Sequence, residues 1–226
     1  MKKVVVLSGA GISAESGLKT FRDANGLWEG HDVMEVASPE GWQKNQDLVL
    51  HFYNERRRQL KTVTPNAAHS ALVDLEKQYE VSIITQNVDD LHERAGSSSV
   101  IHLHGELLKA RSSVDENIVL NWDTDICTGD LCEKNSQLRP HIVWFGEQVP
   151  LLETAAHLVS QADIIIIVGT SMQVYPAAGL IDYAKNTANI YFIDPNPALK
   201  SKQNLHVIPE KASIALPKLV DELMPN

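Results

Sequence analysis

Gly9-Ala10-Gly11-Ile12-Ser13-Ala14-Glu15-Ser16-Gly17-Leu18-Lys19-Thr20-Phe21-Arg22-Asp23 follows directly on the apolar run Val4-Val5-Val6-Leu7. A β-branched strand entering a glycine-rich turn is how α/β proteins bring backbone N–H groups up to a phosphate. Glycine at positions 9 and 11 supplies backbone conformations closed to other residues and leaves room for a ligand. The continuation sets this turn apart from an ordinary dinucleotide site, because Thr20-Phe21-Arg22-Asp23 puts an aromatic ring and a guanidinium just beyond it. A standard dinucleotide fold would enter a helix here and present a ribose-binding acid about 20 residues on, at the end of its second strand. No second strand is read there, so the loop itself is expected to belong to the site.

Outward from this turn, strand-like runs recur at 81–85, 100–103, 164–168 and 190–193, several of them apolar without alternation, as strands covered on both faces are. Helical patterns lie between them. Leu48, Val49, Phe52 and Tyr53 stand at helical spacing within 47–60, and Thr64-Pro65 reads as a cap with proline in the first turn of a helix running to Tyr79. Further helices are expected over 89–95, ending at Gly96, and over 212–223. Strands alternating with helices predict an α/β fold with a doubly wound parallel sheet. Residues 107–149 break the pattern: they are polar, hold both cysteines and lack a long helical period, as a small inserted module would.

The chain has 226 residues, enough for one large domain carrying a small one. A net charge of −9 argues against a general nucleic-acid binder, although Arg56-Arg57-Arg58 leaves room for a local basic patch. The apolar stretch at 164–168 is far too short to span a bilayer, and the first residues lack the pattern of a signal peptide. Two cysteines, Cys127 and Cys132, make no disulfide framework. The expectation is a cytoplasmic monomer without membrane or direct nucleic-acid partners.

Four further stretches carry chemistry. Thr85-Gln86-Asn87-Val88-Asp89-Asp90 stands at the carboxyl end of a strand, the edge where open parallel sheets bind ligands. Its amides and carboxylates suit a ribose or a carboxamide; Asn87 or Asp89 would equally well cap the helix that follows. In Ile101-His102-Leu103-His104-Gly105-Glu106 the histidines share one side if the strand runs through His104. A histidine at a strand end before glycine is placed for general-base work near neutrality. Val168-Gly169-Thr170-Ser171 repeats the strand-to-glycine pattern and reads as a second phosphate or ribose contact, or as a turn with a helix cap. Arg139 to Glu147 is an extended run that fits either a core strand or a backbone edge offered to a peptide.

Taken together, GAGISAESGLKTFRD, TQNVDD, HLHGE, IVWFGE and GTSMQVYP, in that order, resemble a sirtuin, the family of NAD-dependent protein-lysine deacylases, and its bacterial members above all. The resemblance implies a Rossmann-type domain over 1–106 and 150–226 and a zinc-ribbon-like module over 107–149. NAD, consumed as co-substrate, and the acylated lysine of a protein would meet between them, releasing nicotinamide and O-acyl-ADP-ribose. Gly9, Ala10, Gly11, Ser13, Ala14 and Glu15 would wrap the NAD with Thr20, Phe21, Arg22, Asp23 and Trp28. Gln86, Asn87 and Asp89 would hold the nicotinamide ribose and carboxamide, and His104 would be the general base. Gly169, Thr170 and Ser171 would meet the adenosine half, and Asp194, Pro195, Asn196 and Ala212 the adenine end, where the family's usual asparagine is here Asp194. Val143, Trp144, Phe145 and Gly146 would bind substrate. Tyr53 and Arg56, three apart on one helix face, match the pair that marks members accepting succinyl or malonyl lysine. Ala37 matches the small residue that widens their acyl pocket.

The pattern departs at the module. Sirtuins carry a structural zinc on two cysteine pairs, whereas Arg111-Ser112-Ser113-Val114-Asp115 stands where the first pair would be. Cys127 and Cys132 are half of a four-ligand site, which Asp115 and His141 could complete only by converging. The expectation is therefore no zinc, with the module held by Ile118, Leu120, Trp122 and Leu131. Two other functions would use the same nucleotide motifs: mono-ADP-ribosyl transfer, and non-catalytic binding of NAD or ADP-ribose.

Overall fold

The unbroken apolar runs are strands buried on both faces. Val4, Val6, Ile164, Ile166 and Val168 belong to one core and Val5, Leu7, Ile165 and Ile167 to another, as the twofold period of a strand requires. The computed structural model describes residues 1–19, 27, 28, 30–197, 201 and 203–224. In chain order the first elements are β1 (Lys3–Ser8), a single helical turn α1 (Gly11–Ala14), the short strands β2 (Leu27–Trp28) and β3 (His31–Asp32), and helices α2 (Val33–Val36), α3 (Pro39–Lys44), α4 (Gln46–Leu60) and α5 (Ala67–Leu75). They are followed by β4 (Glu80–Thr85), α6 (Leu91–Ala95), β5 (Val100–His102), β6 (Gly105–Ser112), β7 (Val119–Asn121) and β8 (Leu138–Ile142). The chain continues through α7 (Leu152–Gln161), β9 (Ile164–Val168), a 3₁₀ stretch (Ala177–Tyr183), β10 (Asn189–Ile193), β11 (Leu205–Ile208) and α8 (Ala212–Leu223).

Six strands form a parallel sheet in the order β11-β10-β9-β1-β4-β5. α5 and α8 cover one face and α7 with the 3₁₀ stretch the other, so the fold is doubly wound. Register does the positioning: Ser8 lies opposite Thr85 and Val168, and Val168 opposite Ile193. The four sequence stretches that follow these residues therefore leave the sheet at one edge.

The structure corrects several expected bounds. α5 starts at Ala67, capped by Asn66 and not Thr64, because the Asn66 Oδ1 accepts from Ala68 N (2.9 Å) while His69 Nδ1 accepts from Asn66 N (3.3 Å). The same Asn66 side chain donates to Ile12 O and Ser16 Oγ, both at 2.9 Å, and ties the helix to the glycine-rich turn. α5 also ends at Leu75, short of Tyr79. α6 begins at Leu91 and stops, as expected, at Gly96, whose φ of +109° is the left-handed cap glycine favours. β11 was not expected; it is a four-residue edge strand with no apolar run of its own. Among the described residues no strand between β1 and β4 joins the main sheet; β2 and β3, which lie in that interval, pair with each other.

β7, β6 and β8 make a separate antiparallel sheet. Its core is shared with α2, α3 and α4: Leu107, Ala110, Ile126 and Leu138 pack with Val49, Phe52, Tyr53 and Leu60. Of the four residues expected to hold the module, Ile118 and Trp122 pack against this core, but Leu120 and Leu131 are 40% and 52% exposed. The three consecutive arginines of α4 do not form a basic patch, because successive helical residues turn by about 100°. Arg56 lines the cleft described below, Arg58 pairs with Asp125 (3.1 Å), and Arg57 is buried in the core. Arg57 donates to Leu107 O (3.0 Å) and to Asn54 Oδ1 (2.7 Å), and Asn54 in turn clamps the backbone N and O of Ile126 (2.9 Å each). Burial lowers the Arg57 pKa to about 10, against the opposing charges of Asp125 and Asp123.

Two buried histidines beneath the sheet edge give the fold a pH dependence. His92 Nε2 hydrogen-bonds Ser8 Oγ (3.0 Å), and His69 stands edge-on to His92 with ring centroids 5.0 Å apart. Burial lowers their pKa values to about 4 for His69 and about 3 for His92. In the unfolded chain each takes a proton near pH 6.5, so unfolding below that pH binds protons that the folded rings refuse. Stability from this pair is therefore complete above about pH 6.5 and declines as the pH falls, by roughly 3–4 kcal/mol at pH 5. Denaturant midpoints between pH 7 and 5 should fall, and His92→Gln should make that fall shallower whatever its effect at pH 7. An unchanged slope in the variant would refute the account.

Candidate active site

A cavity of about 1210 Å³ lies along the carboxyl edge of the parallel sheet, with the core that β6 and β8 share with α2, α3 and α4 forming its other wall. The glycine-rich turn reaches it through a close interlock with the turn after β9. Gly9 N donates to Val168 O (3.1 Å) and Gly11 N to Gly169 O (2.8 Å). The reason for glycine here differs from the sequence expectation. Neither Gly9 nor Gly11 has a positive φ, and a Cβ would lie 2.7 Å from Thr170 Cβ at Gly9 and 2.7 Å from Gly169 Cα at Gly11. These glycines are required by the neighbouring turn. The unusual backbone belongs to Gly169, with φ +65°.

The loop after β4 closes over this interlock. Gln86 Nε2 donates to Thr170 Oγ1 (3.2 Å), and Asn87 Nδ2 lies 3.2 Å from both Gly9 O and Ser13 Oγ. Asp89 accepts from Leu91 N (3.2 Å), so the helix-capping alternative holds for it in part. Burial raises the Asp89 pKa, against the hydrogen bonds of Leu91 and Ser13. At the far end Asp194 accepts from Asn196 N (2.8 Å). Glu15 turns towards α8, where it accepts from Ser213 N (3.1 Å) and from the Ser213 hydroxyl.

β5 ends at His102, so His104 stands beyond the strand, on the turn 103–104 that Gly105, with φ +84°, closes as β6 begins. The two histidines nevertheless address neighbouring carbonyls and are prepared differently. His104 Nδ1 is 3.1 Å from Gln86 O; a carbonyl can only accept, so Nδ1 carries the proton and Nε2 is left as a base in the cavity wall. Burial lowers the His104 pKa, opposed by the Gln86 bond. His102 meets oxygen at each ring nitrogen, Asn87 O at 2.9 Å and Glu93 Oε1 at 2.7 Å. Burial opposes its charge, but Glu93 outweighs it and raises the pKa. His104 is thus the neutral ring of the pair and His102 the charged one.

At the other wall, Ala37, Tyr53, Arg56 and residues 143–146 all line the cavity. Arg56 Nη1 donates to Phe52 O (2.6 Å), and its guanidinium lies 3.7 Å from the Phe52 ring centroid. The backbone edge of 143–145 is less available to a peptide than its extended pattern suggested. Val143 N bonds His104 O (2.9 Å), Phe145 N bonds Ala37 O (3.0 Å), and Trp144 N bonds a Glu147 oxygen (2.8 Å).

The cavity gathers Gly9, Ala10, Gly11, Ser13, Ala14, Glu15 and Trp28 with Gln86, Asn87, Asp89 and His104. It also takes in Gly169, Thr170 and Ser171, and Asp194, Pro195, Asn196 and Ala212. Thr20, Phe21, Arg22 and Asp23 lie outside the described residues. Lys19, Gln173 and Tyr175, which stand inside the quoted motifs without a role of their own, also line the cavity, as does Lys211, which lies outside those motifs.

A structural zinc does not fit the donors present. Buried Cys132 has its Sγ 3.3 Å from Ser112 Oγ, Cys127 is exposed, and Asp115 is paired with Lys134 at 2.6 Å. Among the described residues no three histidine, cysteine or acidic side chains converge.

Interlocked glycine turns, an amide-rich loop and a neutral histidine at the carboxyl edge of a doubly wound sheet define an enzyme site built around a nucleotide. The chain belongs to the Sir2 family, whose pattern matches residues 9–176. It is 62% identical over 225 residues to a Helicobacter pylori protein named NAD-dependent protein deacylase, covering 99% of this chain and 98% of that one. A solved Sir2 homologue in complex with NAD is 40% identical, with a TM-score of 0.88 and coverage of 98% of this chain and 89% of that one. A Sir2 variant solved with a deacetylated p53 peptide and 3′-O-acetyl ADP ribose is 28% identical, with a TM-score of 0.80 over 98% and 93%. Among the described residues no helix is long and apolar enough to cross a membrane.

Proposed function

We propose that this chain is an NAD-dependent protein-lysine deacylase that accepts acidic acyl groups as well as acetyl. The observation that carries the reading is His104, a neutral base tied to the Gln86 carbonyl and facing the cavity that the glycine turns line. The acyl oxygen of the substrate attacks the ribose carbon as nicotinamide leaves. His104 then takes a proton from a ribose hydroxyl, which attacks the acyl carbon, and water completes release of lysine and O-acyl-ADP-ribose. Gln86, Asn87 and Asp89 hold the nicotinamide ribose and carboxamide, and residues 169–171 with 194–196 hold the adenosine half. Residues 107–149 work with α2 to α4 as the second wall, where the lysine enters beside 143–146.

Tyr53, Arg56 and Ala37 support the acyl preference. Arg56, 14% exposed at the cavity and 3.5 Å from a Glu55 carboxylate oxygen, supplies a cation, and an acyl carboxylate on it gains a charge-assisted bond. Incubation with NAD and one peptide carrying acetyl or succinyl lysine, with products identified by mass, tests both parts. Free lysine and O-acyl-ADP-ribose support deacylation, whereas an ADP-ribosylated protein or intact NAD refutes it. Arg56→Met should lower the succinyl-to-acetyl ratio of kcat/KM by about tenfold or more. An unchanged ratio would remove Arg56 from the role.

A further inference from the structure

The acyl end of the cleft contains a hydrogen bond whose direction is fixed by chemistry. Trp144 Nε1 lies 3.0 Å from the Tyr53 hydroxyl oxygen. An indole N–H can donate and cannot accept, so the phenol oxygen is the acceptor and its own hydrogen must point elsewhere. Tyr53 lines the cavity although its side chain is fully buried. Burial also keeps the phenol protonated, far above the usual tyrosine range, against the opposing effects of Trp144, Arg139 and Arg56.

Trp144 is held so that it cannot turn away. The Arg139 guanidinium lies 3.2 Å from the Trp144 ring centroid, and Trp42 packs against the indole with ring centroids 5.8 Å apart. Arg139 Nη1 reaches Glu147 at 2.7 Å, and Glu147 also accepts from Arg111 (3.0 Å) and from the Trp144 backbone N (2.8 Å). One carboxylate thereby fixes the backbone of Trp144 and the cation stacked on its side chain. Simple core packing would need the ring but not the N–H aimed at Tyr53.

We propose that Trp144 is a specificity-determining positioning residue: by donating to the Tyr53 oxygen it makes the tyrosine an obligate donor toward the acyl group. Beside the donor-only guanidinium of Arg56, this gives the acyl end two donors and favours a group that only accepts, a carboxylate. The proposal rests on the reading that Tyr53 and Arg56 receive acidic acyl chains.

Trp144→Phe removes the N–H and keeps an aromatic ring for Arg139 and Trp42. With the full chain, NAD and one peptide in acetyl and succinyl forms, the succinyl-to-acetyl ratio of kcat/KM should fall roughly five- to tenfold, mainly through KM for the succinyl peptide. Because the effect is exerted through the phenol, the same substitution in a Tyr53→Phe background should leave the ratio where Tyr53→Phe alone puts it. An equal loss on both peptides, or a further fall in the ratio in the Tyr53→Phe background, would overturn the proposal. If Arg56→Met lowers the ratio and Trp144→Phe does not, the proposal fails and the acyl reading stands. If neither variant lowers it, both fail.

Discussion

His104→Ala is expected to lower NAD-dependent deacylation by about 10³-fold, within the range that a positioned general base contributes. The fold should survive, because among the described residues the ring makes one hydrogen bond, to the Gln86 carbonyl, in the wall of the cavity. Thermal melting close to that of the parent and a steady-state assay with acetyl peptide check the two halves of this expectation. The pH profile supplies a third. Burial lowers the His104 pKa, so the base remains unprotonated at neutrality and the acid limb of kcat/KM should lie below the usual histidine value near 6.5. A folded variant with near-parental turnover would end the assignment of His104 as the base.

Gly169→Ala should damage stability and NAD binding together. At φ +65° an alanine costs about 1–2 kcal/mol in backbone strain alone. Its Cβ would also stand 2.2 Å from Ile12 N and 2.7 Å from Gly11 C, distances that only displacement of the glycine-rich turn can relieve. A total loss of roughly 3 kcal/mol or more is expected, with NAD affinity weaker by at least tenfold as the turn shifts. Gly129→Ala isolates the backbone part, because Gly129 has φ +99° and nothing within 4 Å of a Cβ. Denaturant unfolding and calorimetric titration of NAD on the two variants make the comparison. Equal losses would show that the interlock between the two turns contributes nothing.

The sequence was most readable where one local rule governs one element. Runs such as 164–168 are strands because both faces are covered, and that leaves an unbroken apolar signature. α5 was misplaced because Thr64-Pro65 is a reasonable local cap, while Asn66 wins through contacts with Ile12 and Ser16 fifty residues or more away. Leu120 and Leu131 illustrate the same limit, since a short strand and an isolated bridge do not reveal which side meets α4. The stretches 9–11, 86–89, 169–171 and 194–196 were legible because each follows a strand at the same sheet edge, whereas Tyr53 and Arg56 sit inside α4. The reasons behind them were less so. Nothing in the turn itself shows that Gly9 and Gly11 are needed by residues 169 and 170, or that the middle arginine of three is buried. The contact of Trp144 with Tyr53 joins positions 91 apart, beyond the reach of any spacing argument.

The Asn66 side chain has a consequence for the glycine-rich turn. By gripping Ile12 O and Ser16 Oγ it moors residues 12–16 to a helix packed on the main sheet. This part of the turn takes its rigidity from the core of the protein, and the conformational freedom it loses is lost once, during folding. On the proposed function, a nucleotide arriving at residues 12–16 meets a seat already set, and its affinity there is not diminished by the cost of ordering that backbone at every turnover.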